Sequence, residues 1–115
     1  MVIVTLGICG DVMLGRLVNE AIQINGPSYV WGDFLPALRS NDLNMLNLEC
    51  IIAPESVGEP FPDRTFYFKA YPEAIAVLKA ANISCVSQAN NHTLDFGPEA
   101  LQHCINLLAT EQIRH

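Results

Sequence analysis

The sequence has few charged residues, and very few of them are basic. Only 16% of the 115 residues are charged, the net charge is −6, and the six lysines and arginines are scattered along the chain. Nucleic-acid binding requires clustered lysine and arginine side chains that neutralise phosphates, so this composition argues against a nucleic-acid partner. Half of the residues are hydrophobic, which argues against a disordered chain.

Paired cysteines are also missing. The four cysteines never occur as C-x-x-C, which argues against a zinc knuckle or a thioredoxin motif. We interpret all four as reduced residues of the hydrophobic core, as suits a reducing compartment. They are Cys9, Cys50, Cys85 and Cys104.

The sequence has no recognisable leader or membrane segment. Residues 1–9 are apolar, but no basic residues precede them and no cleavage-like site follows, so they make a poor signal peptide. They are too few to cross a bilayer. We expect a buried first β-strand at residues 2–9 and, without an anchor, a cytoplasmic location.

Strand and helix patterns alternate along the chain. β-branched and aromatic runs predict strands at residues 2–9, 42–48, 65–70 and 83–86. Apolar residues at helical spacing predict helices at residues 14–24, 35–39, 71–81 and 98–110. The alternation predicts one α/β domain, residues 1–115, with a layered fold and right-handed crossovers. No strand pattern follows the last helix, so we expect an incomplete sheet that self-associates.

Polar residues follow three of the predicted strands. Asp11 follows the first, Glu49 the second, and Asn91 and His92 the last. The carboxyl ends of parallel strands lie at one edge of a sheet, where ligands bind in open α/β folds. Carboxylates, an amide oxygen and an imidazole suit Mn²⁺, Mg²⁺, Fe or Zn²⁺. The pattern therefore predicts a divalent metal site that acts on a phosphoryl group.

Each of these residues also has an ordinary structural explanation. Asp11 is suited to capping the following helix, and Glu49 to a solvated strand end. Asn91 is suited to a turn, and His92 to a hydrogen-bonded structural role. Only their joint placement at successive strand ends favours a site.

Four ordered segments resemble a known family, the poly-gamma-glutamate capsule biosynthesis (CapA-like) proteins. This family belongs to the calcineurin-like metallophosphatase superfamily, and the resemblance extends over residues 3–108. The segments are GDVMLGR at 10–16, NLE at 47–49, FKA at 68–70 and ANNHTLDFG at 89–97.

The resemblance implies a metallophosphatase-like layered fold with a dinuclear metal site. By motif position, Asp11 is a ligand of the first metal, Glu49 bridges the two metals and Asn91 binds the second. His92 is the phosphate-contacting acid or orienting group, and Asp95 supports it.

The resemblance also implies a small anionic or phosphorylated substrate. Arg16 and Lys69 lie within the matching segments and are candidates to contact it. As single basic residues, they are equally well explained as solvated surface charges.

The sequence departs from the metallophosphatase pattern in two ways. Met13 stands where a histidine ligand is usual, and a thioether is a poor ligand for hard metals. The family carries further histidine ligands in a C-terminal half, and neither His103 nor His115 matches them. We therefore expect the N-terminal half of a CapA-like domain, an incomplete site and little phosphoesterase activity.

Three functions remain open at this point. The first is a capsule or poly-gamma-glutamate biosynthesis protein with an inherited metal-dependent site. The second is a non-catalytic remnant that binds a partner along its unfinished sheet. The third is an active metallophosphoesterase on small phosphates.

Overall fold

A three-stranded parallel sheet lies at the centre of the computed structural model, which describes residues 1–115. The strand order is β1-β2-β5, and the short strands β3 and β4 form a second parallel pair. The predicted α/β class is confirmed. In chain order the elements are β1 (Leu6–Val12), α1 (Leu17–Asn25), a 3-10 segment (Tyr29–Phe34), α2 (Leu35–Arg39), β2 (Leu43–Leu48), β3 (Ile51–Ile52), β4 (Lys69–Ala70), α3 (Ala74–Ala80), β5 (Ile83–Ser87) and α4 (Gly97–Thr110).

The core lies on one face of the central sheet. Side chains alternate between the two faces of a strand, and in β2 every second residue is buried. The buried β2 residues Leu46 and Leu48 share one hydrophobic cluster with Val77 of α3 and with Cys104 and Leu108 of α4. The helices are therefore packed where the apolar stripe of each can be removed from water.

The opposite face of the sheet is apolar and uncovered. Leu6 and Ile8 of β1 are 52% and 75% exposed, and Leu43 of β2 is 47% exposed. Leu6 pairs with Leu43 and Ile8 with Met45, so these side chains lie on the same face. The prediction of a buried first strand is wrong, because β1 is an edge strand and no element covers this side.

The first strand also begins and ends later than predicted. It spans Leu6–Val12, not residues 2–9. Thr5 donates both its backbone N–H and its hydroxyl to the Asp42 carboxylate, at 2.7 and 2.8 Å. The strand then continues through Asp11, which pairs with Asn47. Asp11 is therefore fixed by the sheet instead of lying in the turn that follows it.

The predicted aromatic strand is mostly loop. Only Lys69 and Ala70 pair with another strand, where they meet Ile51 and Ile52. Residues 65–68 are not in a strand: the Phe68 carbonyl accepts Ile51 N–H of β3 at 3.0 Å, but the Phe68 N–H donates to the Asp95 carboxylate, in the turn before α4, at 2.8 Å.

After α4 the chain returns to the sheet, contrary to the expectation that no strand position follows the last helix. Arg114 forms a parallel bridge with Cys85 of β5. Its N–H donates to the Ser84 carbonyl at 3.0 Å, and its carbonyl accepts from Val86 N–H at 2.8 Å. No helix in the chain combines the length and the hydropathy needed to cross a membrane.

All four cysteines are free, but only two are fully buried. Cys50 and Cys104 are buried, whereas Cys9 and Cys85 are half-buried. The prediction that all four belong to the core is therefore correct for two of them. Cys85 lies on the uncovered face, because it pairs with Met45 of β2.

Candidate functional site

Polar side chains from the ends of the three central strands are joined by hydrogen bonds. Asn47 donates from Nδ2 to Oδ1 of Asp11 at 2.8 Å. Asn90 donates from Nδ2 to Oδ1 of Asn47 and to the Leu48 carbonyl, both at 3.0 Å. The parallel register places the strand ends side by side, since Asp11 pairs with Asn47 and Asn47 with Ser87. The edge predicted from the sequence therefore carries a continuous polar row.

His92 is held on three sides. Its Nδ1 lies 2.6 Å from Oδ2 of Asp95, and its backbone N–H donates to Oδ1 of Asn90 at 3.0 Å. Its ring stacks on Phe68, with 4.1 Å between ring centroids. With Nδ1 engaged by the carboxylate, Nε2 is the ring nitrogen left for a ligand or for proton transfer.

Asp95 is a fully buried carboxylate that meets hydrogen-bonding groups at one oxygen and a cation at the other. Phe68 N–H donates to its Oδ2 at 2.8 Å, on the same oxygen that meets His92. An Arg64 guanidinium nitrogen lies 3.1 Å from its Oδ1. A buried carboxylate is tolerated only with such partners. The contact that the predicted supporting role of Asp95 requires is present, and the role itself stays a prediction.

Glu49 and Asn91 flank this polar row. Glu49 follows β2 directly and is half-buried, and its N–H donates to the Val12 carbonyl at 2.9 Å. Asn91 is exposed, and its backbone carbonyl accepts a hydrogen bond from Arg64. Both residues lie in the two turns that border the carboxyl ends of β2 and β5.

The residues of this chain match a metal ion only in part. No set of three or more histidine, cysteine, aspartate and glutamate side chains lies close enough to hold one. The hydrogen-bonded row supplies one carboxylate and two amides, which are oxygen donors of the kind that hard cations take. Met13 adds no metal donor to this set, because its sulfur accepts the Gly15 N–H at 3.0 Å.

Arg16 and Lys69, the predicted anion contacts, line one cleft of about 660 Å³. Lys69 is already occupied there, since its Nζ donates to the carbonyls of Val57 and Glu55 at 2.6 and 3.2 Å. Its ammonium also lies 4.4 Å from the Phe96 ring centroid. Partial burial lowers the pKa of Lys69, although nearby glutamates, including Glu55, oppose that change. Lys69 therefore holds the loop after β3 in place.

Arg16 differs from Lys69 in both exposure and backbone. It is exposed and has φ 55° and ψ −131°, directly before the first turn of α1. A non-glycine residue in this region carries strain of about 1–3 kcal/mol, and such strain is concentrated at functional sites. Between the two predicted anion contacts, Arg16 is the one whose cationic group is exposed to the cleft.

Four residues of this region were missed as site residues by the sequence analysis. Asn47 and Asn90 lie within the segments that resemble the CapA-like family, close to the predicted ligands Glu49 and Asn91. Their position at strand ends is a signal that could have identified them as site residues. Phe68 begins another recognised segment. Arg64 lies in a proline-rich loop and carries no local signal, because its partner Asp95 is 31 positions further along the chain.

Comparisons with known proteins identify the family of this chain. The family model described as "Bacterial capsule synthesis protein PGA_cap" matches residues 5–115. Capsule biosynthesis protein CapA of Bacillus anthracis is 28% identical over 102 residues, covering 88% of this chain and 25% of that protein. PGA biosynthesis protein CapA of Bacillus subtilis (strain 168) is 24% identical over 104 residues, covering 90% of this chain and 27% of that protein.

A third relative is named "Probable polyglutamine synthesis accessory protein", from Mycobacterium tuberculosis. It is 26% identical over 140 residues, covering 93% of this chain and 36% of that protein. The chain thus spans between a quarter and just over a third of the length of these relatives. Since the family model extends over nearly all of its residues, the chain belongs to the PGA_cap family of bacterial capsule synthesis proteins.

Proposed function

We propose that this chain acts in capsule or poly-gamma-glutamate biosynthesis and contributes one wall of a metal-dependent phosphoesterase site. The observation that carries this proposal is the His92–Asp95 pair, which lies next to the hydrogen-bonded row from Asp11 to Asn90. The names of the relatives support the biological setting.

Asp11, Glu49 and Asn91 are the residues proposed to hold a divalent ion, either Mn²⁺, Mg²⁺, Fe or Zn²⁺. A bound ion would supply an activated water and would neutralise charge on a phosphoryl group. His92 would exchange a proton with the substrate oxygen through Nε2, while Asp95 holds the ring through Nδ1. Arg16 would attract the small anionic substrate into the adjoining cleft.

The site proposed here is partial. A metal site with high affinity needs about four protein ligands, and this chain brings no three titratable ligands together. The relatives are about three to four times longer than the aligned region, so the proposal assigns the missing donors to chain outside these 115 residues. The 115-residue chain is accordingly expected to hydrolyse phosphate esters weakly or not at all.

Paramagnetic broadening by Mn²⁺ tests the proposed ligands without an activity assay. Amide signals of Asp11, Glu49 and Asn91 should broaden first as Mn²⁺ is added, and Asp11→Ala should weaken this effect. Exposed Asp33, which lies outside the site, supplies the control Asp33→Ala. Broadening that appears elsewhere in the chain, and not at these three residues, would refute the ligand assignment.

A hydrolysis assay on a generic phosphate ester tests the partial site. Strong metal-dependent turnover that disappears in Asp11→Ala and in His92→Ala would show a complete site. It would favour the third hypothesis, a phosphoesterase acting on small phosphates. Absence of turnover together with edge-localised Mn²⁺ binding is the expected result.

A second candidate function, self-association, is favoured by the uncovered sheet face. Leu6, Ile8 and Leu43 are exposed there, and parallel sheets are normally covered on both faces. A second copy of this chain is the proposed partner. Light scattering after size exclusion should show a dimer that Ile8→Lys dissociates, whereas a clean monomer with tight Mn²⁺ binding argues against self-association.

The cytoplasmic location stays a prediction.

A further inference from the structure

Arg64 contacts both ends of the turn that presents His92. One guanidinium nitrogen, Nη1, lies 3.1 Å from Oδ1 of Asp95 and also donates to the backbone carbonyl of Asn91. The side chain is 27% exposed, so most of it is shielded by its neighbours. The Arg64 cation therefore contacts both Asn91, which directly precedes His92, and Asp95, which lies three positions after it.

The loop that carries Arg64 is fastened to the same turn. Phe61 N–H donates to the Asp95 backbone carbonyl, and Phe68 N–H donates to the Asp95 carboxylate, both at 2.8 Å. The Phe61 ring lies 5.6 Å from the Arg64 guanidinium carbon, which is a cation–π distance. Arg64 is thus held against the turn from both ends of its own loop.

Arg64 is the cation that accompanies the buried Asp95 carboxylate. Arginine stays protonated in proteins, and among the side chains that contact Asp95 it is the only permanent cation. Burying an ionised carboxylate is unfavourable unless a cation accompanies it. Arg64 faces Oδ1 of Asp95 and Phe68 N–H donates to Oδ2, so each carboxylate oxygen faces a group that carries hydrogens.

The contacts of Asp95 determine which ring nitrogen of His92 carries the hydrogen. Since both oxygens of Asp95 face other donors, the hydrogen in the 2.6 Å contact is assigned to Nδ1 of His92. In the neutral ring, the lone pair then lies on Nε2, the nitrogen that is left for a substrate.

We propose that Arg64 is the positioning residue of the His92 site, which holds the Asp95 carboxylate in place through its charge and thereby fixes the Nδ1–H tautomer of His92. Its bond to the Asn91 carbonyl holds the turn in the conformation that this contact needs. The role of the exposed Nε2 in phosphoryl chemistry rests on the proposed function. The tautomer itself does not, because it requires neither metal nor substrate.

Nitrogen-15 NMR of the imidazole in the metal-free chain tests the proposal at about pH 9, where an ordinary imidazole is neutral. The wild-type chain should show one protonated and one unprotonated ring nitrogen at His92, with the hydrogen on Nδ1. Arg64→Gln keeps a donor for the Asn91 carbonyl but removes the charge, and it should lose this single tautomer. Arg64→Lys restores the charge and should recover it.

The matched control is Arg39→Gln, because Arg39 also donates to a backbone carbonyl, that of Ala80, at 2.8 Å, but far from His92. It should leave the His92 signals unchanged. A folded Arg64→Gln chain with the wild-type tautomer overturns the proposal. If the glutamine variant does not fold, the lysine variant decides alone: a wild-type tautomer supports the proposal, and a tautomer mixture overturns it. Failure of Mn²⁺ binding would affect only the proposed function.

Discussion

Nδ1 of His92 lies 2.6 Å from Oδ2 of Asp95, and Asp95 is completely buried. A carboxylate in this position costs free energy unless every neighbour stabilises it. The same carboxylate accepts Phe68 N–H and faces Arg64, so one side chain joins the proline-rich loop to the turn before α4. The geometry of the site and the stability of the fold therefore depend on the same residue.

Asp95→Ala should lower the free energy of unfolding by about 2–3 kcal/mol, because it leaves Phe68 N–H and His92 without their acceptor. Urea denaturation measures this loss. The exposed Asp33 provides the matched variant Asp33→Ala, which should change stability by about 0.5 kcal/mol or less. Equal effects of the two substitutions would mean that burial of Asp95 contributes nothing.

Gly15→Ala should destabilise the chain by about 1–3 kcal/mol through overpacking. A Cβ at Gly15 would lie 2.5 Å from the Lys69 carbonyl oxygen, and neither backbone segment can move freely. Gly10→Ala is the control, since no heavy atom lies within 4 Å of a Cβ at that position. Thermal melts of the two variants should separate clearly, and a neutral Gly15→Ala would contradict the close approach of the two segments.

Cys50 should make stability fall with rising pH in the alkaline range. Burial raises the pKa of its thiol from 9.0 to about 12. A group whose pKa is higher in the folded state contributes fully below its unfolded value and loses that contribution as pH rises through the folded one. The loss should therefore begin near pH 9 and continue towards pH 12.

The measurement compares the urea midpoints of the wild-type chain and Cys50→Ala from about pH 8 to pH 10.5. Cys50→Ala is less stable at every pH because it leaves a cavity. The difference between the two chains should shrink as the pH rises, since only the wild-type chain must expose this thiol to titrate it. A constant difference would show that Cys50 does not contribute to the pH dependence.

Arg16→Gly should stabilise the fold by about 1 kcal/mol and weaken anion binding. Glycine adopts φ 55° and ψ −131° without the strain that a side chain imposes there. Arg16→Ala is the comparison, because it removes the guanidinium but keeps the strain. Both variants should bind inorganic phosphate more weakly than the wild-type chain in calorimetry, but only the glycine variant should melt at a higher temperature. Unchanged phosphate binding in both would remove Arg16 from the proposed cleft.

Local pattern was sufficient for most elements of the fold. The strand predicted at residues 42–48 appears as Leu43–Leu48, and the helix predicted at residues 98–110 appears as Gly97–Thr110. Both have strong periodicity and a clear boundary, such as the glycine and proline that begin α4. The approach of Asp11 to Asn47 and Asn90 was also foreseeable in outline, because parallel strands align their carboxyl ends.

Predictions that depended on what covers a surface were less successful. The apolar run that contains Leu6 and Ile8 indicates a strand correctly, but its burial depends on a second layer that the run cannot encode. Lys69 looked like a free surface cation, whereas two carbonyls of a distant loop bind its ammonium group. In both cases the deciding neighbours are far away in the sequence.

The sequence by itself determined the order of the longer strands and helices and the PGA_cap family, because periodicity and short ordered segments indicate both. Tertiary structure alone decided that Arg64 is placed against Asp95 and that Asp95 holds His92 by Nδ1. The physical reason is that the environment of a buried charge is created by chain segments that meet only in the folded state. No local pattern specifies which cation will accompany a carboxylate 31 residues away.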